Sequence, residues 1–224
     1  MGRKKEIVIV GARGFGKEVV GYIEEHGSYD IVCALDEQDN APLLGHEVVH
    51  PQRYSYSCKN AIFAIGYPEH KQEILDKFQP LSLTWETFVH PSSIISRHAM
   101  LGAGVVVAPF SLVAGDAHVG SHVLINAFCA VAHDCSIGDR SSLMPYACVN
   151  GGVSVGRECL ISTGAKVMPG ITIGDRCRIS AGAVVTRDIP ADSLVFGNPA
   201  QFQPDVSMLA KARKRALKQE QETS

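Results

Sequence analysis

The chain has no long hydrophobic run. Its start, MGRKKEIVIVGARG, places only Ile7 to Val10 between a charged opening and a glycine. That is too short for the apolar region of a signal peptide, and no later segment reaches the roughly 20 apolar residues of a membrane span. An excess of charge is lacking too: 21 Lys and Arg against 23 Asp and Glu leave −2, so neither nucleic acid nor an anionic membrane is expected as a partner. Paired cysteine spacing is also missing. The seven cysteines are odd in number, which argues against a disulfide framework and for a reduced, cytoplasmic compartment. Aromatic residues reach only 7%, with a single tryptophan, but 46% of the 224 residues are hydrophobic, enough for a globular protein of one or two domains.

What the sequence does have is a repeat. From Val89 to Val185 every sixth residue is aliphatic, seventeen positions without a miss, among them Val107, Val113, Val119, Ile125, Val131 and Ile137. Neither the 3.6-residue period of a helix nor the two-residue period of a half-buried strand gives a strict six. A parallel β-solenoid does, with one hexad forming one short side and three hexads closing one coil. The fourth residue after each stop is small or apolar, as in Ser111, Cys129, Cys135, Ser141, Cys159 and Cys177. This fits a second inward column at tight corners, where packing accounts for the cysteines.

The first 85 residues read differently. EIVIV and IVCAL are apolar runs of the kind buried in a parallel sheet, separated by GARGFG and the helical pattern of KEVVGYIEE. Gly11, Gly14 and Gly16 let the backbone turn sharply, and the helix start offers free N–H groups to a phosphate. Asp36 ends the second strand, where an acid can meet a ribose or base; Gly66 follows a third strand at the same sheet edge. The glycine spacing departs from the dinucleotide fingerprint and the segment is half a dinucleotide fold, so a mononucleotide group fits better than NAD. A helix, KQEILDKF, stops at Gln79-Pro80. Trp85 is expected to lie between the two parts, and a basic helix is expected from 204 to 224.

His133 stands out among nine histidines. One coil before it is Gly115 and one coil after is Gly151, so the imidazole is expected between two backbones without side chains. A main-chain N–H one coil away can then meet developing negative charge, and Asp134 can orient the ring.

GARGFGKEV, ALDE, FVHPSS, AHDCSIGD and GAVVTRDIPADSLVFGNPA together resemble the hexapeptide-repeat acyltransferases, specifically the two-domain sugar acetyltransferases that include sialic acid O-acetyltransferase-like proteins and bacillosamine and perosamine N-acetyltransferases. The resemblance implies an α/β Rossmann-like domain (1–85), a left-handed parallel β-helix (86–203) and a short C-terminal helix (204–224). It implies a homotrimer with acetyl-CoA lying between adjacent prisms and no metal. His133 would be the general base with Asp134 its partner. Asn126, Gly151, Gly164 and Gly182 would serve acetyl-CoA or the acceptor, with the Gly151 N–H meeting the thioester oxygen. Gly11, Arg13, Gly14, Phe15, Gly16, Asp36 and Gly66 would hold a sugar nucleotide. Many relatives carry a second histidine nine residues after the base, where this chain has Ser142; its hydroxyl would have to contact acetyl-CoA instead. The implied reaction is direct N-acetylation of a nucleotide-linked amino sugar, of the kind that supplies bacterial surface glycans. Sugar O-acetylation and a non-catalytic binding solenoid stay open. So does a metal enzyme using His98, His118, His122 and His133, although no two of these are a whole number of coils apart.

Overall fold

The computed structural model describes residues 4–38 and 41–205. β1 (Lys5–Val10) carries Ile7, Val8, Ile9 and Val10, each 0% exposed. A strand this apolar on both faces belongs at a sheet centre. It pairs in parallel with β2 (Tyr29–Leu35) on one side. β3 (Val48–Val49) extends that side beyond β2. On the other side β1 pairs with β4 (Asn60–Phe63), beyond which lies β5 (Thr84–Trp85), giving the order β3-β2-β1-β4-β5. Successive side chains of β1 alternate between the faces. Ile7 and Ile9 pack with Val19, Val20 and Ile23 of α1 (Gly14–His26). Val8 and Val10 pack with Phe78 of α2 (Pro68–Phe78). α1 stops where Gly27 takes left-handed backbone and its N–H donates to the Ile23 carbonyl. α2 starts on a proline and ends just before Gln79-Pro80.

From Phe88 onward the chain winds as a left-handed parallel β-helix of three faces: sheets of eight, six and five strands. Each coil stacks on the next with an 18-residue offset, as in Leu112 on Ala130 and Val113 on Val131. Every aliphatic stop is the inward second residue of a two-residue strand, from Phe88–Val89 to Val184–Val185. The second inward column is buried as well, and its hydroxyls are satisfied across coils. Ser111 Oγ donates to the Asn126 carbonyl (2.7 Å) and Ser141 Oγ to the Gly156 carbonyl (2.8 Å). The last coil is closed by Ser193–Phe196 pairing antiparallel with Gln201–Pro204, so Pro204 belongs to a strand and not to a tail helix. Residues 206–224, where that helix was expected, lie outside the described residues. No described helix is long and apolar enough to cross a membrane.

The eight-stranded face meets the α/β unit. Its outward Val106 and Leu124 join the cluster of Ile7, Ile9 and Val20. Trp85 contacts both parts, edge-on to Phe63 of β4 and to His122 of the β-helix. Lys71 of α2, 1% exposed, donates to the carbonyls of His122 (2.8 Å) and Ser141 (3.1 Å).

Candidate active site

His133 follows the strand Ala130–Val131 at the corner between the six- and five-stranded faces. Asp134 takes the left-handed conformation of that corner (φ 59°), a backbone that aspartate tolerates. Its carboxylate oxygen Oδ2 lies 2.6 Å from His133 Nδ1. This fixes the proton on Nδ1 and leaves the Nε2 lone pair free, the tautomer a general base needs. The other end of the ring rests over Gly151, where a side-chain Cβ would come within 2.6 Å of both Cε1 and Nε2. The ring therefore leans onto one of its two glycine neighbours. The space over Gly115 meets only Ser96 Oγ, at 3.6 Å, and stays open. The Gly151 N–H donates to no partner among the described residues. Equivalent corner N–H groups at Ser121, Ala127 and Arg157 are each capped by a side-chain oxygen.

Gly151 has ordinary backbone, so alanine there fits the chain but not the ring above it. Gly151→Ala is expected to leave folding intact and to lower kcat/KM by about a hundredfold, since a base displaced by about 1 Å loses that much. Steady-state kinetics alongside circular dichroism check it.

In the α/β unit a cavity of about 460 Å³ opens at the carboxyl ends of β1, β2 and β4. Gly11, Arg13, Gly14, Phe15, Asp36 and Gly66 line it. Asp36 accepts from the Ala12 N–H and the Gln38 N–H, both at 3.0 Å, and so ties together the two loops that wall the cavity. Each of its oxygens keeps a lone pair for a ligand. Gly16 is a correction. It does not line the cavity; a Cβ there would fall 2.1 Å from the Gly11 carbonyl oxygen, so its role is to let α1 close on the turn. Tyr67, His70, Glu73 and Lys77 of the α2 segment line the opposite wall, and Lys77 pairs there with Glu37 (2.7 Å) and Glu73 (2.9 Å). Sequence reading missed these four, although their i, i+3, i+6 and i+10 spacing places them on one helix face.

Ser142 is a second correction. It is 0% exposed on the eight-stranded face, beneath the α/β unit, with its hydroxyl unpartnered. Nine residues are one and a half hexads, which carries the chain from the His133 corner to a different face. It cannot meet a ligand at His133. Asn126 lies at the preceding corner, between the eight- and six-stranded faces. Gly164 and Gly182 run along that same edge with left-handed backbone (φ 69° each). Above them on this edge Phe110, Phe128 and Tyr146 stack at 5.0 and 4.9 Å between centroids. One chain therefore holds Asn126, Gly164 and Gly182 on one edge and His133, Asp134 and Gly151 on the next, a full face apart. The histidines weighed as metal ligands do not converge either: His118 points out from the five-stranded face while His122 is packed against Trp85.

Comparison with known proteins matches residues 116–151 and 152–187 to the bacterial transferase hexapeptide (six repeats) and residues 6–78 to the PglD N-terminal domain. No curated protein matches by sequence. Among solved structures, a histidine-to-asparagine variant of perosamine N-acetyltransferase from Caulobacter crescentus, in complex with CoA and GDP-perosamine, is 31% identical, with 89% of this chain and 97% of that one covered and a TM-score of 0.84. The chain belongs to the hexapeptide-repeat sugar acetyltransferases. The acetyltransferase domain of PglB from Neisseria gonorrhoeae, in complex with acetyl coenzyme A, is 28% identical (88% and 98% covered, TM-score 0.81). WeeI from Acinetobacter baumannii is 25% identical (89% and 100% covered, TM-score 0.82).

In an acetyl-CoA-dependent sugar acetyltransferase, a covalent route would need a nucleophile near His133, and Cys135 is the one thiol close in sequence. The acetyltransferase keeps it out of reach: Cys135 is 1% exposed and its Sγ donates to the Asn150 carbonyl at 3.1 Å. Burial raises its pKa above the ordinary thiol value. Cys135→Ala is expected to retain kcat within about twofold, the change being confined to packing. Loss of turnover in a folded variant would replace direct transfer by an acyl-enzyme route.

Proposed function

We propose that this acetyltransferase moves the acetyl group of acetyl-CoA onto the amino group of a nucleotide-linked amino sugar, without a covalent enzyme intermediate. The observation that carries the reading is His133, with Nδ1 held by Asp134 and Nε2 lying over the side-chain-free Gly151, whose amide is unengaged among the described residues. The sugar amine attacks the thioester carbonyl and His133 Nε2 takes the amine proton. The Gly151 N–H stabilises the oxyanion. As the tetrahedral intermediate collapses, the C–S bond breaks and the imidazolium returns a proton to the departing thiolate.

The nucleotide belongs in the cavity of the α/β unit, with its phosphates at the start of α1 and its ribose or base at Asp36. CoA and GDP-perosamine in the Caulobacter structure support this pairing of ligands. Among the described residues, none of the β-helix lines that cavity, and the side chains of His133 and Asp134 are 72% and 64% exposed. A lone chain thus leaves the base open to water. The outward side of the adjoining six-stranded face is apolar but for Lys166, with Ile94 at 68% and Leu112 at 41% exposed. Three prisms packed on these faces, in a homotrimer, would bring the Asn126 edge of one against the His133 edge of the next and bury the thioester between them. Reduced cytoplasm, which holds both substrates, suits the chain's unpaired cysteines.

The test is thiol release from acetyl-CoA across nucleotide-linked amino sugars, their unlinked forms and sialic acids. Turnover confined to a nucleotide-linked amine supports the reading. Turnover on a free sugar hydroxyl would move the protein to O-acetylation. CoA binding without turnover on any member would overturn the acceptor class, and no CoA binding at all would favour a non-catalytic solenoid.

A further inference from the structure

The end of α1 meets the first turn of the β-helix through two histidines. His26 Nε2 and His90 Nε2 stand 2.8 Å apart, and a carboxylate oxygen of Glu25 lies within 4.8 Å of a ring nitrogen of each. His90 is fixed in place: it is 4% exposed, Tyr22 packs edge-on against its ring, and its Nδ1 is 2.7 Å from Ser92 Oγ. Ser92 N–H also reaches Nδ1, at 3.2 Å, and Ser92 Oγ accepts from the Phe110 N–H at 3.0 Å. Two neutral imidazoles whose Nε2 atoms meet at this distance either share one N–H as a hydrogen bond or turn both lone pairs onto a metal ion.

We propose that Glu25, His26 and His90 form a binding site for a divalent transition-metal ion of the zinc class, separate from the transfer chemistry at His133. Two imidazole nitrogens and one carboxylate oxygen are the donors such an ion takes, with water free to complete a tetrahedron. Metal–nitrogen bonds of about 2.0–2.1 Å at a tetrahedral angle put the two nitrogens about 3.3 Å apart, so the rings must part by roughly half an ångström. Glu25 and His26 are exposed at a helix end and can move that far against a fixed His90. On binding, the His90 proton moves from Nε2 to Nδ1; this gives up the Ser92 N–H contact to Nδ1 and leaves Ser92 Oγ as the acceptor of the Nδ1 proton. That hydroxyl is the partner a metal-bound histidine requires on its second nitrogen. The ion would clamp the last turn of α1 onto the first coil and hold the nucleotide cavity in register with the β-helix.

Co²⁺ is the probe, added to full-length protein stripped by a chelator, with visible absorption and equilibrium dialysis as readouts. One Co²⁺ per chain is expected, with intense absorption bands of low coordination number. His26→Ala and Glu25→Gln are expected to weaken it by at least about tenfold. Both residues are exposed, so these variants fold, which circular dichroism checks. His133→Ala and His118→Ala are expected to keep the Co²⁺ spectrum. Zn²⁺ should raise the Tm of the wild type and not of His26→Ala. Absence of stoichiometric Co²⁺ binding by the wild type would overturn the site, as would His26→Ala binding as tightly as the wild type. In either case the two rings share a proton only.

Discussion

His133→Ala is expected to lower kcat/KM for the proposed amino-sugar nucleotide by about 10²–10⁴, the usual worth of a positioned general base. CoA affinity, measured by calorimetry, should be nearly unchanged, because nothing in the fold leans on this ring. It is exposed, its one hydrogen bond is to the adjacent Asp134, and it covers only the backbone of Gly151. A loss in kcat with intact binding separates a base from a residue that holds substrate. Asp134→Asn should fall between wild type and His133→Ala. The amide can still touch Nδ1, but it no longer favours the tautomer with the proton there. If His133→Ala retained full turnover, the reaction would need another base, and this corner of the β-helix offers none of comparable freedom.

The second large effect is on stability, and it sits at the junction of the two parts. His122 is packed edge-on against the rings of both Phe63 and Trp85, with its Nδ1 buried and unpartnered. Burial, then the nearby cations Lys71 and Arg140, push its pKa down from 6.5 to about 4, with Asp139 opposing. A histidine whose folded pKa lies below its unfolded value costs no stability above about pH 6.5. The unfolded chain takes up the proton first, so stability falls as pH drops from about 6.5 to 4. The full difference, discounted for screening by solvent, is on the order of 2–3 kcal/mol. His122→Asn should reduce this acid sensitivity, since asparagine does not titrate and tolerates the left-handed backbone at this position (φ 56°). Chemical denaturation at about pH 7.5 and 4.5, either side of most of that window, measures it by comparing the change in wild type with that in the variant. Equal losses would place the acid sensitivity elsewhere. Lys71 adds to the tension. Its ammonium is fully buried on two carbonyls without a carboxylate, and its pKa is held well below the ordinary lysine value by burial and by Arg140.

The β-helix was legible because its determinants are local and periodic. A side chain six residues on has the same surroundings, so every aliphatic stop from Val89 to Val185 fell on the inward position of a strand. The His133–Gly151 stack followed from the same arithmetic. Ser142 was misplaced because resemblance, not register, assigned it to the donor. Its outward column on the eight-stranded face is covered only once the α/β unit docks there, and nothing in the hexad states that. Lys71 was illegible for a related reason. In KQEILDKF a lysine reads as solvated, and only the approach of the carbonyls of His122 and Ser141 gives it somewhere to go. The α2 side of the cavity in the α/β unit, with Tyr67, His70, Glu73 and Lys77, likewise needs the packed helix before its face can be named.

The 18-residue offset between coils has a consequence for how such a chain can change length. Because His133 lies over a backbone one coil later, the interval between them has to stay at 18 residues, and even a whole-coil insertion would put another residue than Gly151 under the ring. Losing the single hexad from Ile137 to Ser142 would keep the inward aliphatic pattern, with Val131 followed by Leu143. The core would stay filled, yet everything downstream would turn by one face and leave the imidazole over a different residue.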